Sequence, residues 1–277
     1  MPAAPAPAGR SLALTRVLTR HADGRSEHSL DPDLRVFVSD LVRPYGLPLR
    51  EDLLTEGAGH AYEELAAGLL GAALGPDEPA DLLIQAFDSP DVRPGAPTSL
   101  ALSRSCAGTP TALALCDQGT AGAFSALRVA DAYQRTGAAR RAVVVLAEQT
   151  TLHYRPAEPV TLPERHCAVV LVCEEVPAGD GDLTIHQESM ADDESAAKEV
   201  RQQAEALGER TAVLLSAGLD VPYPDAVVTP PGQPFTGLWS ELAARLQAWR
   251  AERRPVLLAD LDRRLGVLST LTLRAGP

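Results

Sequence analysis

DQGTAGAFSALRVADAYQRTGAARRAVVVLAEQ, residues 117–149, follows directly on the apolar run TALALC (111–116). That run reads as a strand. Residues 121–137 space their apolar side chains as a helix does and close on Gly137, and RAVVVLAE (141–148) is apolar between its two ends and reads as the next strand. A strand, a sharp turn, a helix and a second strand are thus predicted as one unit, with Thr120 at the turn and Ala121 and Gly122 opening the helix.

The same alternation extends on both sides. Upstream, SLALTRVL (11–18) and LRVFVS (34–39) are predicted as strands. HAYEELAAGLLGAAL (60–74) puts Tyr62, Leu65, Leu69 and Ala73 at helical spacing, ADLLIQAF (80–87) is a buried strand and SLALSRSCAG (99–108) a short helix. Downstream comes the strand CAVVLVCEE (167–175), and after the Gly/Asp-rich turn PAGDGD (177–182) a shorter version of the same order follows. It comprises strand DLTIHQ (182–187), a helix over 193–207, strands TAVLLS (211–216) and DAVV (225–228), helix TGLWSELAARLQAWRAE (236–252), and strands PVLLAD (255–260) and LGVLSTLTLR (265–274). Only LDVPYP (219–224) separates the two middle strands, so one helix is missing there.

These patterns predict an α/β fold of two duplicated αβ halves with mixed, mostly parallel central sheets covered by helices, the second half shortened. The division is 1–10 as a disordered Pro/Ala-rich tail, 11–176 as the first half and 177–277 as the second. The chain's 277 residues, 45% of them hydrophobic, suffice for one large core. A formal net charge of -12 argues against nucleic acid and acidic membranes as partners. No run of about 18 apolar residues occurs and MPAAPAPAGR has no apolar segment behind a basic start, so a cytoplasmic location is expected, with no membrane span. Cys106, Cys116, Cys167 and Cys173 form no CxxC pair and read as free thiols, and neither a metal nor a cofactor is expected.

Residues 117–149 resemble the nucleophile elbow of the thiolase-fold ketoacyl synthase III family, in which a strand delivers a cysteine to a turn followed by Ala-Gly and a helix. Ala121, Gly122, Ala126, Leu127, Ala130, Asp131, Gly137 and Glu148 carry the match. The helix near 63–73, the strand 80–87 followed by Asp88, Ser89 and Pro90, and Pro97 are similar to the corresponding family elements, so the resemblance is good over roughly 60–175 and weaker beyond.

At the family's cysteine position this chain has Thr120. A helix N-terminus favours a thiolate, whereas a threonine hydroxyl is un-ionised near neutral pH and needs a base. Thr120 therefore reads as a helix cap or, alternatively, as an acylated hydroxyl. Cys106 in SCAG (105–108) mimics the motif, but the strand TALALC still follows it. Cys116, four residues before Thr120, and Gly122 are candidate substrate contacts, with core packing the ordinary reading for Cys116. His166, at the approach to strand 167–175, is the candidate base and otherwise a hydrogen-bonded core histidine.

The resemblance implies carbonyl-polarising His and Asn residues in two second-half loops. The likely equivalents here, Ala217, Gly218, Leu219 and Pro230, Pro231, Gly232, Gln233, contain neither. A second register would use His186 with Gln187, but reads more simply as a surface histidine. Arg135, Arg140 and Arg141 are candidates for contact with an acidic carrier protein or a phosphate, or simply solvated residues at a helix end.

The resemblance thus implies a non-condensing subunit that forms a heterodimer with an active ketosynthase homologue, through RAVVV (141–145) or a neighbouring strand, in polyketide, fatty-acid-like or related specialised-metabolite assembly. The alternative is an acyltransferase that moves an acyl group from acyl carrier protein or acyl coenzyme A to an alcohol or amine through Thr120 and His166.

Overall fold

The computed structural model describes residues 10–93, 95, 97–177, 183–190 and 192–274. Most of the Pro/Ala-rich opening and of the 177–182 turn lie outside these residues. The first half contains β1 (Arg10–Ala22), α1 (Pro32–Val42), α2 (Glu51–Glu56), α3 (Tyr62–Ala73), β2 (Leu82–Ala86), α4 (Thr98–Ser103), β3 (Thr111–Leu115), α5 (Gly122–Arg135), β4 (Arg141–Glu148) and β5 (His166–Pro177). The second contains β6 (Leu183–Ser189), α6 (Asp193–Leu207), β7 (Ala212–Leu215), β8 (Val227–Val228), α7 (Gly237–Ala251), β9 (Val256–Asp262) and β10 (Val267–Leu273).

The sheet orders are β1-β5-β4-β2-β3 and β6-β10-β9-β7-β8, so β6 to β10 repeat β1 to β5 position for position. In each sheet, pairing is parallel on one side of the fourth strand and antiparallel on the other. The sheets are thus evenly mixed and not mostly parallel. Continuous apolar runs such as CAVVLVC report that both faces are covered by helices, and they carry no information on strand direction.

Helices α3 and α4 cover one face of the first sheet. Helices α5 and α7 lie between the two sheets, with Phe124 and Trp239 packed at 5.0 Å between ring centroids, and α6 covers the outer face of the second sheet. The result is five layers. Every helix predicted over 60–74, 121–137, 193–207 and 236–252 is present, and no helix lies between β7 and β8, which accounts for much of the shortening.

One segment departs from expectation. Residues 34–39 are helical, within α1, because Asp31 caps the helix by accepting from the Asp33 N–H at 2.9 Å and Pro32 occupies its first turn. Leu34, Val38 and Val42 then fall on one buried stripe at four-residue spacing. Among the described residues, no helix is long and apolar enough to cross a membrane.

Candidate functional site

Strand β3 ends at Leu115, and a single 3-10 turn, Gly119–Ala121, leads into α5. The chain turns sharply here, with Asp117 at φ 60° and Gly119 at φ 50°. Gly119 is required on two counts: its backbone is left-handed, and a Cβ would run into the carboxylate of Asp262. The predicted elbow is therefore present and Thr120 sits on it.

Thr120 does not cap the helix with its side chain. Its backbone N–H donates to Asp262 Oδ2 at 2.9 Å, and its hydroxyl donates to Asp260 Oδ2. The capping group is thus supplied by the last residue of β9, whose other oxygen accepts from the Leu265 N–H at 2.9 Å. An aspartate can serve here because its negative charge complements the N-terminal end of α5.

Asp260 is buried, and its carboxyl is pushed above the usual range by burial and by the neighbouring Asp262 charge, against hydrogen bonds from Ser216 and Thr120. Asp88 is pushed the same way, first by burial, with Asp262 and Asp117 adding to the effect and Arg264 and a hydrogen bond from the Gly119 backbone opposing it. The turn is therefore surrounded by carboxylates. A thiolate or an oxyanion formed at this point would face like charges, and the Thr120 N–H that would stabilise it is already committed.

The second half carries the counterpart. Glu148 ends β4 as Asp262 ends β9, and it meets the turn before α7 as Asp262 meets the turn before α5. Its carboxylate accepts from the Phe235 and Thr236 N–H groups, both at 3.0 Å, from the Thr236 hydroxyl, and from Gln233 Nε2 at 2.8 Å. Burial pushes the Glu148 carboxyl up despite these bonds. Each half thus ends its fourth strand on an acid that caps the central helix of the other.

The loops expected to polarise a carbonyl have other partners. Gln233 accepts from the Arg165 N–H at 2.8 Å and donates to the Arg165 carbonyl at 3.2 Å, and the Gly232 carbonyl accepts from the Glu164 N–H at 2.7 Å. Gly218 offers its carbonyl to Arg263.

His166 is buried and accepts from the Thr150 N–H at 3.3 Å through Nδ1, with its ring 5.4 Å from that of His60. Burial and then His60 hold its pKa below the usual value, while the Gly24 carbonyl opposes them. None of its hydrogen bonds leads to Thr120, so the structure does not bring the expected pair together; the carboxylate of Asp260 takes the place expected of a base. His186 is exposed on β6, 3.2 Å from Glu188.

Cys116 is exposed rather than in the core, because β3 is a sheet edge, and its thiol lies 3.5 Å from Asp117 Oδ2 and is pushed up by burial and by that carboxylate. Cys106 is buried, just beyond α4 and not within it. Gly122 packs against Phe235 and Gln118 in the interior. Among the described residues, clefts of about 740, 300 and 260 Å³ open on the surface; Asp117, Gln118 and Ala121 of the turn line the second, whereas Thr120, Gly122 and His166 line none of the three.

Asp260 and Asp262 were missed by the sequence reading. Their signal is two acids at alternate positions of an apolar strand, which points both to the same face as buried Leu258.

No protein-family model matches the chain, and no curated protein matches it in sequence. Solved structures do match in fold. A tetronic acid condensing enzyme is 16% identical, with 95% of this chain and 100% of that chain covered and a TM-score of 0.61. The 3-oxoacyl-(acyl carrier protein) synthase III of Pseudomonas aeruginosa is 14% identical, with 96% and 99% covered and a TM-score of 0.64. An OleA variant from Xanthomonas campestris is 12% identical, with 95% and 98% covered and a TM-score of 0.62. Duplicated five-stranded sheets, the elbow at the end of β3 and these likenesses agree: this chain has the thiolase-type fold that these ketoacyl synthase III-like condensing enzymes share.

Proposed function

We propose that this chain is a non-condensing, ketosynthase-like subunit of the cytoplasm that pairs with an active ketosynthase homologue in polyketide, fatty-acid-like or related specialised-metabolite assembly. The observation that carries this reading is the pair of carboxylates at the elbow. Asp262 occupies the Thr120 N–H and Asp260 the Thr120 hydroxyl, so the turn is used as a structural joint between the halves.

The sheet order supports one edge as the partner surface. RAVVV lies in β4, which is hydrogen-bonded on both sides by β2 and β5 and has no free edge. Its role passes to β3, the edge strand leading into the elbow, whose apolar TALAL sequence with half-exposed Leu113 and Leu115 is suited to pairing with another chain. The 740 Å³ cleft beside it, between α5 and β6, offers Arg128 and Val129 to the same partner. Of the three arginines expected to meet an acyl carrier protein or a phosphate, Arg141 is held by Glu174 at 2.7 Å and Arg135 by Asp131 at 3.0 Å, which makes Arg140, the most exposed and 4.0 Å from Glu175, the best placed for that contact.

One observation favours the alternative, acyl transfer from acyl carrier protein or acyl coenzyme A. The Thr120 hydroxyl already donates to a buried carboxylate, as a nucleophile donates to its base. The readings separate on incubation of the isolated protein with acyl coenzyme A, followed by intact-mass and peptide mass spectrometry. The expected result is no acyl adduct on Thr120; an adduct that disappears in Thr120→Ala would establish the alternative.

A further inference from the structure

We propose that His186, Glu188 and Glu199 form a binding site for a zinc-class divalent cation that ties α6 to the edge strand β6. His186 and Glu188 are two residues apart on β6 and therefore project from the same face of the strand, while Glu199 reaches them from α6. One ligand atom from each residue lies within 4.8 Å of those of the other two.

The geometry fits a small first shell. His186 Nε2 and Glu188 Oε2 are 3.2 Å apart, the separation spanned by two metal bonds of about 2.0–2.1 Å meeting near the tetrahedral angle. Gln203 Nε2 donates to Glu199 Oε1 at 2.8 Å, a supporting hydrogen bond of the kind that ligating carboxylates receive in metal sites.

Charge supports the assignment. Two carboxylates and a neutral imidazole balance a divalent ion, and among the described residues neither Glu188 nor Glu199 has an ion pair with Lys or Arg. The imidazole nitrogen selects zinc-class ions over magnesium or calcium, which take oxygen ligands. Three protein ligands on an exposed face leave a fourth position to water. The face involved is the outer one, away from α5, because Leu183, Ile185 and Gln187 point inward from the intervening positions. The site is thus separate from the elbow.

The test is calorimetric titration of the chelator-treated full chain with Zn²⁺, in a Cys116→Ser background that removes the exposed thiol, for the parent, His186→Ala and Glu199→Gln, with circular dichroism as the control for folding. The expected result is one saturable equivalent in the parent, weakened at least tenfold in each variant with the fold unchanged. No saturable uptake by the parent, or uptake unaltered in both variants, would overturn the site.

Discussion

Thr120 and Asp260 lie 140 positions apart in the chain, yet the hydroxyl of the first donates to the buried carboxylate of the second. Together with the bond from the Thr120 N–H to Asp262, this joins the turn of the first half to the last but one strand of the second. In a condensing enzyme the turn would have to remain free to stabilise a developing negative charge; here the protein's own acids occupy it.

A cysteine placed at this turn should stay a thiol. In a Cys116→Ser background, Thr120→Cys is expected to be alkylated slowly near neutral pH, with a pKa above the ordinary cysteine value of about 8.5, because Asp260 and Asp262 oppose the thiolate. Adding Asp260→Asn and Asp262→Asn should speed alkylation at pH 7. The pH profile of iodoacetamide labelling measures both; fast labelling of the single cysteine variant would mean that the carboxylates do not govern the turn.

Removing the cap should cost stability without unfolding the chain. Asp262→Ala is expected to destabilise by about 1–2 kcal/mol, the usual value for a lost helix cap. Gly119→Ala should cost more than about 1 kcal/mol because its backbone is left-handed and its Cβ would meet Asp262. In urea unfolding, the double variant should lose less than the sum of the two, since one clash is relieved.

The buried acids Glu148 and Asp260 predict a specific pH dependence. Burial raises the folded-state pKa of Glu148 and Asp260 above the unfolded values, so between the two the folded state holds more protons than the unfolded one. The contribution of these groups to stability is then full below the unfolded pKa and falls as pH rises through the folded pKa. Relative to Glu148→Gln, the parent should lose stability as pH rises above the ordinary carboxylate range, at up to about 1.4 kcal/mol per pH unit. Paired urea titrations from pH 4 upward would show it, and a difference that is flat or that grows with pH would contradict it.

Edge strand β3 can be tested without touching the core. Ala114 is exposed, and Ala114→Lys puts a charge on the edge, which disfavours pairing with another strand. The variant is expected to remain within about 0.5 kcal/mol of the parent in stability, as surface changes do, and to lose co-elution with the proposed ketosynthase partner on size-exclusion chromatography. Retained co-elution would move the interface elsewhere.

Much of this fold is legible in the sequence because its strands are apolar at nearly every position and its helices carry clear stripes. TALALC, RAVVVLAE and the helix between them are placed by local pattern alone, and the missing crossover shows in the brevity of LDVPYP. Residues 34–39 were misread because LRVFVS has strand-like composition, while the Asp31-Pro32 start signal just before it decides the matter. Strand direction was not legible, since burial on both faces erases the alternation that would have distinguished β5 from a parallel strand. The candidate site divides in the same way. Thr120 is found by its neighbours in sequence, but Asp260 and Asp262 come from the far end of the chain, and only the crossing of the two halves brings them to it.

The most direct test of the central claim is the condensation activity of the purified complex with the proposed ketosynthase partner, comparing the parent chain with Thr120→Ala. The account predicts a stable heterodimer whose activity survives the substitution, because Thr120 holds the turn and does no chemistry. Activity abolished by Thr120→Ala in a complex that still assembles would contradict it and make the hydroxyl a participant in the reaction.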